Sequence, residues 1–335
     1  MTTTLDYTKL PPRRIEWSDL LGKLGPVIGL AFVFILFAAL RPRTFATPVN
    51  AELMLRQTAV VGLAALGMTL VIISGGIDLS VGANIALATV AIATLLLNGH
   101  SATVAALGGV AVSAFAGLTI GILVTTLRLS PFIVTLGMWG ALRGIAKWLA
   151  DNQAVYPPLS WRQTWLSGLL KTLGPERSWL LVPAGVWLTL ICAVFVALLL
   201  RYTRLGRHIF AVGSNEQTAR LCGVPIGRVK LIIYLIAGAF AGLAGILEFS
   251  YISMGDPTTR MGAELDVIAA VVIGGASLSG GQGSVFGSLV GALIMTMVAN
   301  GCTRMGWPNY VQEIVTGAII IFAVALDRLR HKRGT

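Results

Sequence analysis

LSVGANIALATVAIATLLLNGHSATVAALGGVAVSAFAGLTIGILVTTL, residues 79–127, contains no charged residue and a single histidine, His100. An α-helix needs about 20 apolar residues to cross the hydrocarbon core of a bilayer, so this run is long enough to cross twice. Working outward, 57–77, 178–200 and 267–303 are also free of charge, and the last of them again has length for two crossings. Charged residues make up 12% of the 335-residue chain and hydrophobic residues 56%, whereas a soluble domain carries about 25% charged residues. Mean hydropathy is +0.82. The fold class that follows is all-α: a polytopic membrane protein.

Apolar runs and their breakers give ten candidate segments: 25–40, 57–74, 81–97, 103–127, 131–148, 179–200, 231–250, 266–280, 284–302 and 310–326. Segments 25–40, 81–97, 266–280 and 310–326 are short for a full crossing, which predicts tilted, broken or half-spanning helices there. The first is followed by Arg41-Pro42-Arg43 rather than by small residues at a cleavage site, so it reads as a retained span. Ten crossings with both termini cytoplasmic place 15 of the 25 Lys/Arg inside, in keeping with the positive-inside rule. The chain then divides into a cytoplasmic segment 1–24, one transmembrane domain 25–328 and a tail 329–335. The formal net charge of +11 reflects this sidedness and anionic lipid, not nucleic acid, because no stacking aromatics are interleaved with the basic residues.

The basic loop 201–230 holds six Lys/Arg against one acid, Glu216. Within it Ser214, Asn215, Glu216, Gln217, Thr218, Ala219 and Arg220, ending at Gly223 before Pro225, predict a short exposed helix. Ser214 is placed to cap it with Gln217 reaching back, and Gly223 to end it in a left-handed conformation. Such a helix is either a plain solvated loop element or a rigid handle for a soluble partner.

Two similar glycine breaks interrupt the apolar runs. GGIDLSVG contains Gly75, Gly76, Asp78 and Ser80; GGASLSGG contains Gly274, Gly275, Ser277 and Ser279. Asp78 is the single acid between Glu52 and Asp151. It reads either as the cap of the helix starting at Leu79 or Ser80, or as a gating or coupling group. Glycines at Gly238, Gly242 and Gly245, and at Gly283, Gly287 and Gly291, predict close helix packing, with pore lining as the other use.

Glu248, Asp256, Glu264 and Asp266 surround an expected outer turn, where Asp256 and Glu264 are candidates for docking a delivery protein and solvated loop charges are the other reading. Ser130-Pro131 opens a helix carrying Phe132, Thr135 and Trp139; with Asn84 and Asn300 these are candidate substrate-pathway residues, against ordinary packing. Trp161, Trp165 and Tyr156 in the loop 151–178, with Trp179 at its end, suit a membrane interface, contact with an external partner or ligand being the other use. Cys192, Cys222 and Cys302, and His100, His208 and His331, are too scattered for a disulfide framework or metal motif. No phosphate loop, zinc-protease or nucleophile-elbow motif occurs, so the chain reads as a non-enzyme without its own cofactor. Any ATP and Mg would be bound by a separate polypeptide.

GMTLVIISGGIDLSVGANIALA (67–88), GSNEQTARLCGVPIGRVK (213–230) and ELDVIAAVVIGGASLSGGQGSVFGSLVGALIM (264–295) together resemble the permease subunits of bacterial ABC importers for monosaccharides, the branched family with ribose, xylose, arabinose and galactofuranose permeases. The likeness runs in order from about residue 55 to 328. It implies about ten helices and an inner-membrane location. It implies as partners a second permease subunit, a cytoplasmic ABC ATPase and a periplasmic sugar-binding protein, with 214–223 as the coupling helix and transport by alternating access. An ion-coupled secondary transporter of a small polar solute is the competing class; it would need a coupling site in the membrane, for which Asp78 is the sole acid in the core of the first half.

Overall fold

A computed structural model describes residues 17–171 and 180–332. Trp179, residues 1–16 of the N-terminal segment and 333–335 of the tail lie outside the described residues. Within them the chain forms twelve α-helices and no strand; one isolated bridge joins Val155 and Gly255. In order they are α1 (Trp17–Leu40), α2 (Pro48–Ile73), α3 (Val81–Leu97), α4 (Ala102–Thr126), α5 (Pro131–Leu149), α6 (Ala184–Tyr202), α7 (Arg204–Ser214), α8 (Glu216–Leu221), α9 (Ile226–Ile252), α10 (Ala263–Ile273), α11 (Val285–Met305) and α12 (Asn309–Lys332). Each of the ten apolar segments corresponds to one helix. The other two, α7 and α8, both fall in the basic loop, where a single helix was expected.

Five helices, α2, α4, α6, α9 and α11, are long and apolar enough to cross a membrane. The helix expected over 266–280 stops at Ile273. Its eleven residues rise about 16 Å, roughly half the ~30 Å of hydrocarbon core. Helix α2 is the axis of the bundle: from Ala59 to Ile73 every residue is buried. A helix that is apolar all round belongs inside other helices; α9, α11, α6 and α10 pack around it.

Backbone proximity holds these helices together. A Cβ on Gly117 of α4 would collide with the Tyr234 carbonyl of α9, and one on Gly238 with the Ser113 carbonyl of α4. Gly242 and Gly245 continue the same face against Val110 and Ala88. On α11, Gly287 and Gly291 lie against the backbone of Gly274 and Ala270. The expected close packing is thus realised. In a bilayer, where lipid is as apolar as a side chain, such proximity supplies the dispersion contact that drives association.

Ser130 precedes α5 with Pro131 in the first turn, and although a serine there is well placed to cap the helix, its side chain makes no capping bond. Trp161 is buried against Phe249, ring centroids 5.0 Å apart, so it is a packing residue and not an interface anchor. Trp165 and Tyr156 are exposed.

Gly117→Val and Gly238→Val should each destabilise the protein by about 1–3 kcal/mol or more through overpacking. Gly137→Val on α5, where an added Cβ meets open space, should be tolerated. Thermal unfolding in detergent compares the three.

Candidate functional site

The two glycine breaks end their helices in the same way, one residue out of the alignment their sequences suggest. After α2, Gly75 is left-handed at φ 81° and Gly76 N–H donates to the Val71 carbonyl at 3.0 Å. After α10, Gly275 is left-handed at φ 93° and Ala276 N–H donates to the Val271 carbonyl at 3.1 Å. Both are Schellman caps. Ser74-Gly75-Gly76 therefore matches Gly274-Gly275-Ala276, and the common glycine is the left-handed one.

Asp78 caps no helix directly. Its Oδ1 accepts from Ser80 N–H at 2.8 Å and Ser80 Oγ at 2.6 Å, a local turn that shapes the break, and α3 starts later, at Val81, with Ser80 as an N-cap lacking a side-chain bond. In the second break, Ser277 Oγ accepts from Ser279 N–H at 3.2 Å.

The breaks meet each other and the basic loop. Gly281 N–H donates to the Ile73 carbonyl at 2.8 Å. A Cβ on Gly213, near the end of α7, would collide with that same carbonyl, and one on Gly280 would lie 2.6 Å from the Gly213 oxygen and 3.0 Å from Gly75 Cα. Three backbones are in contact here, and α8 begins three residues beyond Gly213.

The α8 cap is Asn215, whose side chain accepts from Thr218 N–H at 2.9 Å. Ser214 instead closes α7, so the expected Ser214–Gln217 box does not form: the backbone turns one residue later. Gly223 does take the left-handed conformation, φ 80°. Glu216 is tied back to the bundle by Lys230 Nζ at 2.6 Å and to Arg220 at 3.2 Å. The Lys230 hydrogen bond holds its carboxyl below the usual range. Ala219 is buried while Gln217, Thr218 and Arg220 face outward. Leu221 is 89% exposed, a large apolar side chain that the sequence reading passed over although it stands alone among polar neighbours.

The expected outer turn is folded back into the helical bundle. Residues 253–262 run back along α3: Gly255 packs on Thr89, Val90 and Ala93, whereas the Arg260 carbonyl and Glu264 pack on Gly82. That is some ten residues lower on α3, about 15 Å. Arg143, buried on α5, pins the segment by donating from Nη1 to the carbonyls of Pro257 at 2.8 Å and Thr259 at 2.7 Å. Glu248, buried on α9, accepts from Thr259 Oγ1 at 3.0 Å and Arg260 Nη2 at 2.5 Å. Buried charges persist when they are paired in this way. Asp256 accepts from Thr258 in a local turn on the exposed side of the segment, whereas Glu264 is buried facing Arg143 and Trp139 and so is not a solvated loop charge.

Beside the ion pair lies a cavity of about 550 Å³ between α2, α9, α10, α11 and α12, with Gln57, Tyr251, Asp266, Asn300, Arg304 and Gln312 among its polar walls. The structure brings Asn300 there, and not Asn84, Phe132, Thr135 or Trp139. Asn84 reaches the Ser113 carbonyl at 3.2 Å. Thr135 ties α5 to the first break through the Ile77 carbonyl at 3.1 Å, and Phe132 is exposed. Among the described residues no cluster of three His, Cys, Asp or Glu could hold a metal ion.

A membrane-crossing helical bundle with a cavity partly lined by polar residues, broken helices and a separate loop-borne helix has the parts of a transport permease. The chain belongs to the family described as branched-chain amino acid transport system / permease component, which matches residues 50–324. The ribose import permease protein of Bacillus subtilis is 37% identical over 320 residues, covering 94% of this chain and 96% of that protein. The ribose import permease protein of Escherichia coli K12 is 38% identical, covering 91% and 93%, and the L-arabinose ABC transporter permease protein of Azospirillum brasilense 34% identical, covering 91% and 88%. No solved structure matches the chain.

Because the Glu216 carboxyl is depressed, the hold of α8 on α9 is full above the ordinary carboxylate range and is lost as pH falls through the lowered value. Glu216→Gln should reproduce that loss at neutral pH, raising amide exchange across 216–221 by about two- to fivefold, as befits a half-exposed ion pair.

Proposed function

We propose that this chain is the permease subunit of an ABC importer that passes a monosaccharide from a periplasmic binding protein into the cytoplasm by alternating access. The sugar-importing relatives support the cargo class, and those relatives, an ABC transporter permease among them, speak against the ion-coupled carrier. The observation that carries the mechanism is the three-backbone contact of Gly213, Gly280–Gly281 and Ile73–Gly75, which binds the loop helices to both helix breaks.

In this reading ten helices cross the inner membrane with both termini cytoplasmic, and α10 completes one crossing together with the re-entrant segment 253–262. Residues 25–328 form the permease domain and 201–230 its coupling loop. Helix α8 is the coupling helix: Asn215 caps it, Glu216 fixes it to α9, and Leu221 is the apolar contact offered to a cytoplasmic ATPase. ATP and Mg bind that ATPase. Its closure pushes α8, and through α7 and Gly213 the push reaches both breaks. The cavity, on α2 residues 53–61 and the far ends of α9 and α11, lies in the periplasmic half, where a second permease subunit and the binding protein complete the pathway. Asp256, Glu264, Phe132, Thr135, Trp139 and Asn84 then serve by holding the re-entrant segment, α5 and α3 around that pathway.

Cys222 is exposed beside Leu221, Cys192 is half-buried and Cys302 buried. Maleimide labelling of Cys222 in native membranes should therefore be blocked when the ATPase is bound and restored when it is stripped. Leu221→Asp should abolish sugar uptake, lower ATPase co-purification at least tenfold and leave the unfolding temperature unchanged. Unprotected Cys222 in an active transporter would refute the docking assignment.

A further inference from the structure

We propose that the permease itself reads its cargo: the cavity is a hydroxyl-recognition site for a monosaccharide, with the Asp266 carboxylate as its principal acceptor. This rests on the sugar-importer reading above.

Hydrogen-bond accounting within the cavity carries the inference. Glu248 has both oxygens engaged, by Thr259 and Arg260. Asn300 Oδ1 accepts from Asn50 at 2.9 Å, and Arg304 Nε donates to Asn50 Oδ1 at 3.0 Å. Asp266 differs. It lines the cavity from the first turn of α10, partly buried, and no described residue donates a hydrogen bond to its carboxylate. An ionised carboxylate has about four acceptor sites; with Arg260 nearby in the same lining to balance its charge, Asp266 still has those sites open to whatever enters the cavity, water or a solute with O–H donors.

Neighbouring hydroxyls of a sugar present two O–H donors to the two carboxylate oxygens without adding charge. The Glu248–Arg260 pair beside them is already neutral as a unit. Arg304 and Gln312 line the same cavity and have N–H groups to offer the ring and hydroxyl oxygens. Position adds a reason to care about this residue: Asp266 is at the start of α10, and the other end of that short helix is the break whose Gly280 and Gly281 touch Gly213 and Ile73. Cavity occupancy and coupling-helix position therefore share one rigid element.

The test uses the full-length chain in nanodiscs with its ATPase and no binding protein. Ribose, L-arabinose, D-allose and leucine serve as probes in saturation-transfer NMR and equilibrium dialysis. Sugar should bind, and Asp266→Asn should weaken it by about tenfold or more, as expected for lost bonds to a charged acceptor. Asp266→Glu should retain binding but change the ranking of the sugars; if Asp266→Asn does not fold, that ranking decides, and an unchanged ranking overturns the site. Equal affinity in wild type and Asp266→Asn also overturns it. So does absence of any sugar signal while the complete importer still takes up sugar, an outcome that leaves the importer reading standing. Binding of leucine in place of the sugars overturns both.

Discussion

The bond from Gly281 N–H to the Ile73 carbonyl completes an account that a membrane protein has to close. A helix end leaves four carbonyls without intrahelical partners, and an apolar interior has no water to satisfy them. At the end of α2, Leu70 receives Ser74 N–H, Val71 receives Gly76 N–H, and Ile72 receives Gly75 N–H. The fourth, Ile73, is satisfied from the other break, some 200 residues away in sequence. The two breaks cannot separate without orphaning that carbonyl, so they move together or the bond is exchanged for another. A coupling device acting on either break acts on both.

Glycine is what makes this joint possible. At Gly213 and Gly280 a side chain would occupy the space the neighbouring backbone fills; at Gly75 and Gly275 the chain needs the left-handed conformation that L-residues adopt at a cost. The same residue type has a different task on α4 and α9, where Gly117 and Gly238 let two helices touch along their length. Abundant glycine in this apolar chain thus often marks contact surfaces between backbones, although Gly137, Gly140 and Gly144 on α5, like Gly317 on α12, face open space.

Much of the fold was legible because hydrophobic runs and breakers are one-dimensional signals. The uncharged 79–127 run gave α3 and α4, and Gly223 with Pro225 marked the end of α8. The finer register was not legible. Ser214 and Asn215 are both good caps, and only the termination of α7 at Ser214 decides between them. The acids around 256–266 looked like a surface turn because charge ordinarily means solvent; the partners that bring this segment inside, Arg143 and Glu248, are more than 100 residues and about ten residues distant respectively, and nothing local announces them. The cavity draws on five helices, so no single stretch of sequence could present it. Of the two asparagines named as pathway candidates, Asn300 lines the cavity, whereas Asn84 makes a packing contact with α4.

Buried charge then constrains how the molecule can move. Arg143 grips two carbonyls of the segment 253–262, and Glu248, on α9, grips Thr259 and Arg260 of the same segment. Drawing the segment away from either side would strand an ion in a low-dielectric interior, which costs far more than a surface ion pair returns. The segment is therefore held in place unless α5 and α9 move with it, whereas the residues with no buried charge at stake are Gly213, Gly280 and Gly281 at the joint of the two breaks. Those lie at the other end of α10, beside α7 and α8. A partner binding at α8 can shift the conformational equilibrium only by binding its two states unequally, and the contact of Gly213 with the breaks is the nearest joint to α8 through which such a difference could be passed on. The charged clasp at one end of α10 and the glycine joint at the other thus divide the bundle into a part held beside the cavity by buried charge and a part held by backbone contact.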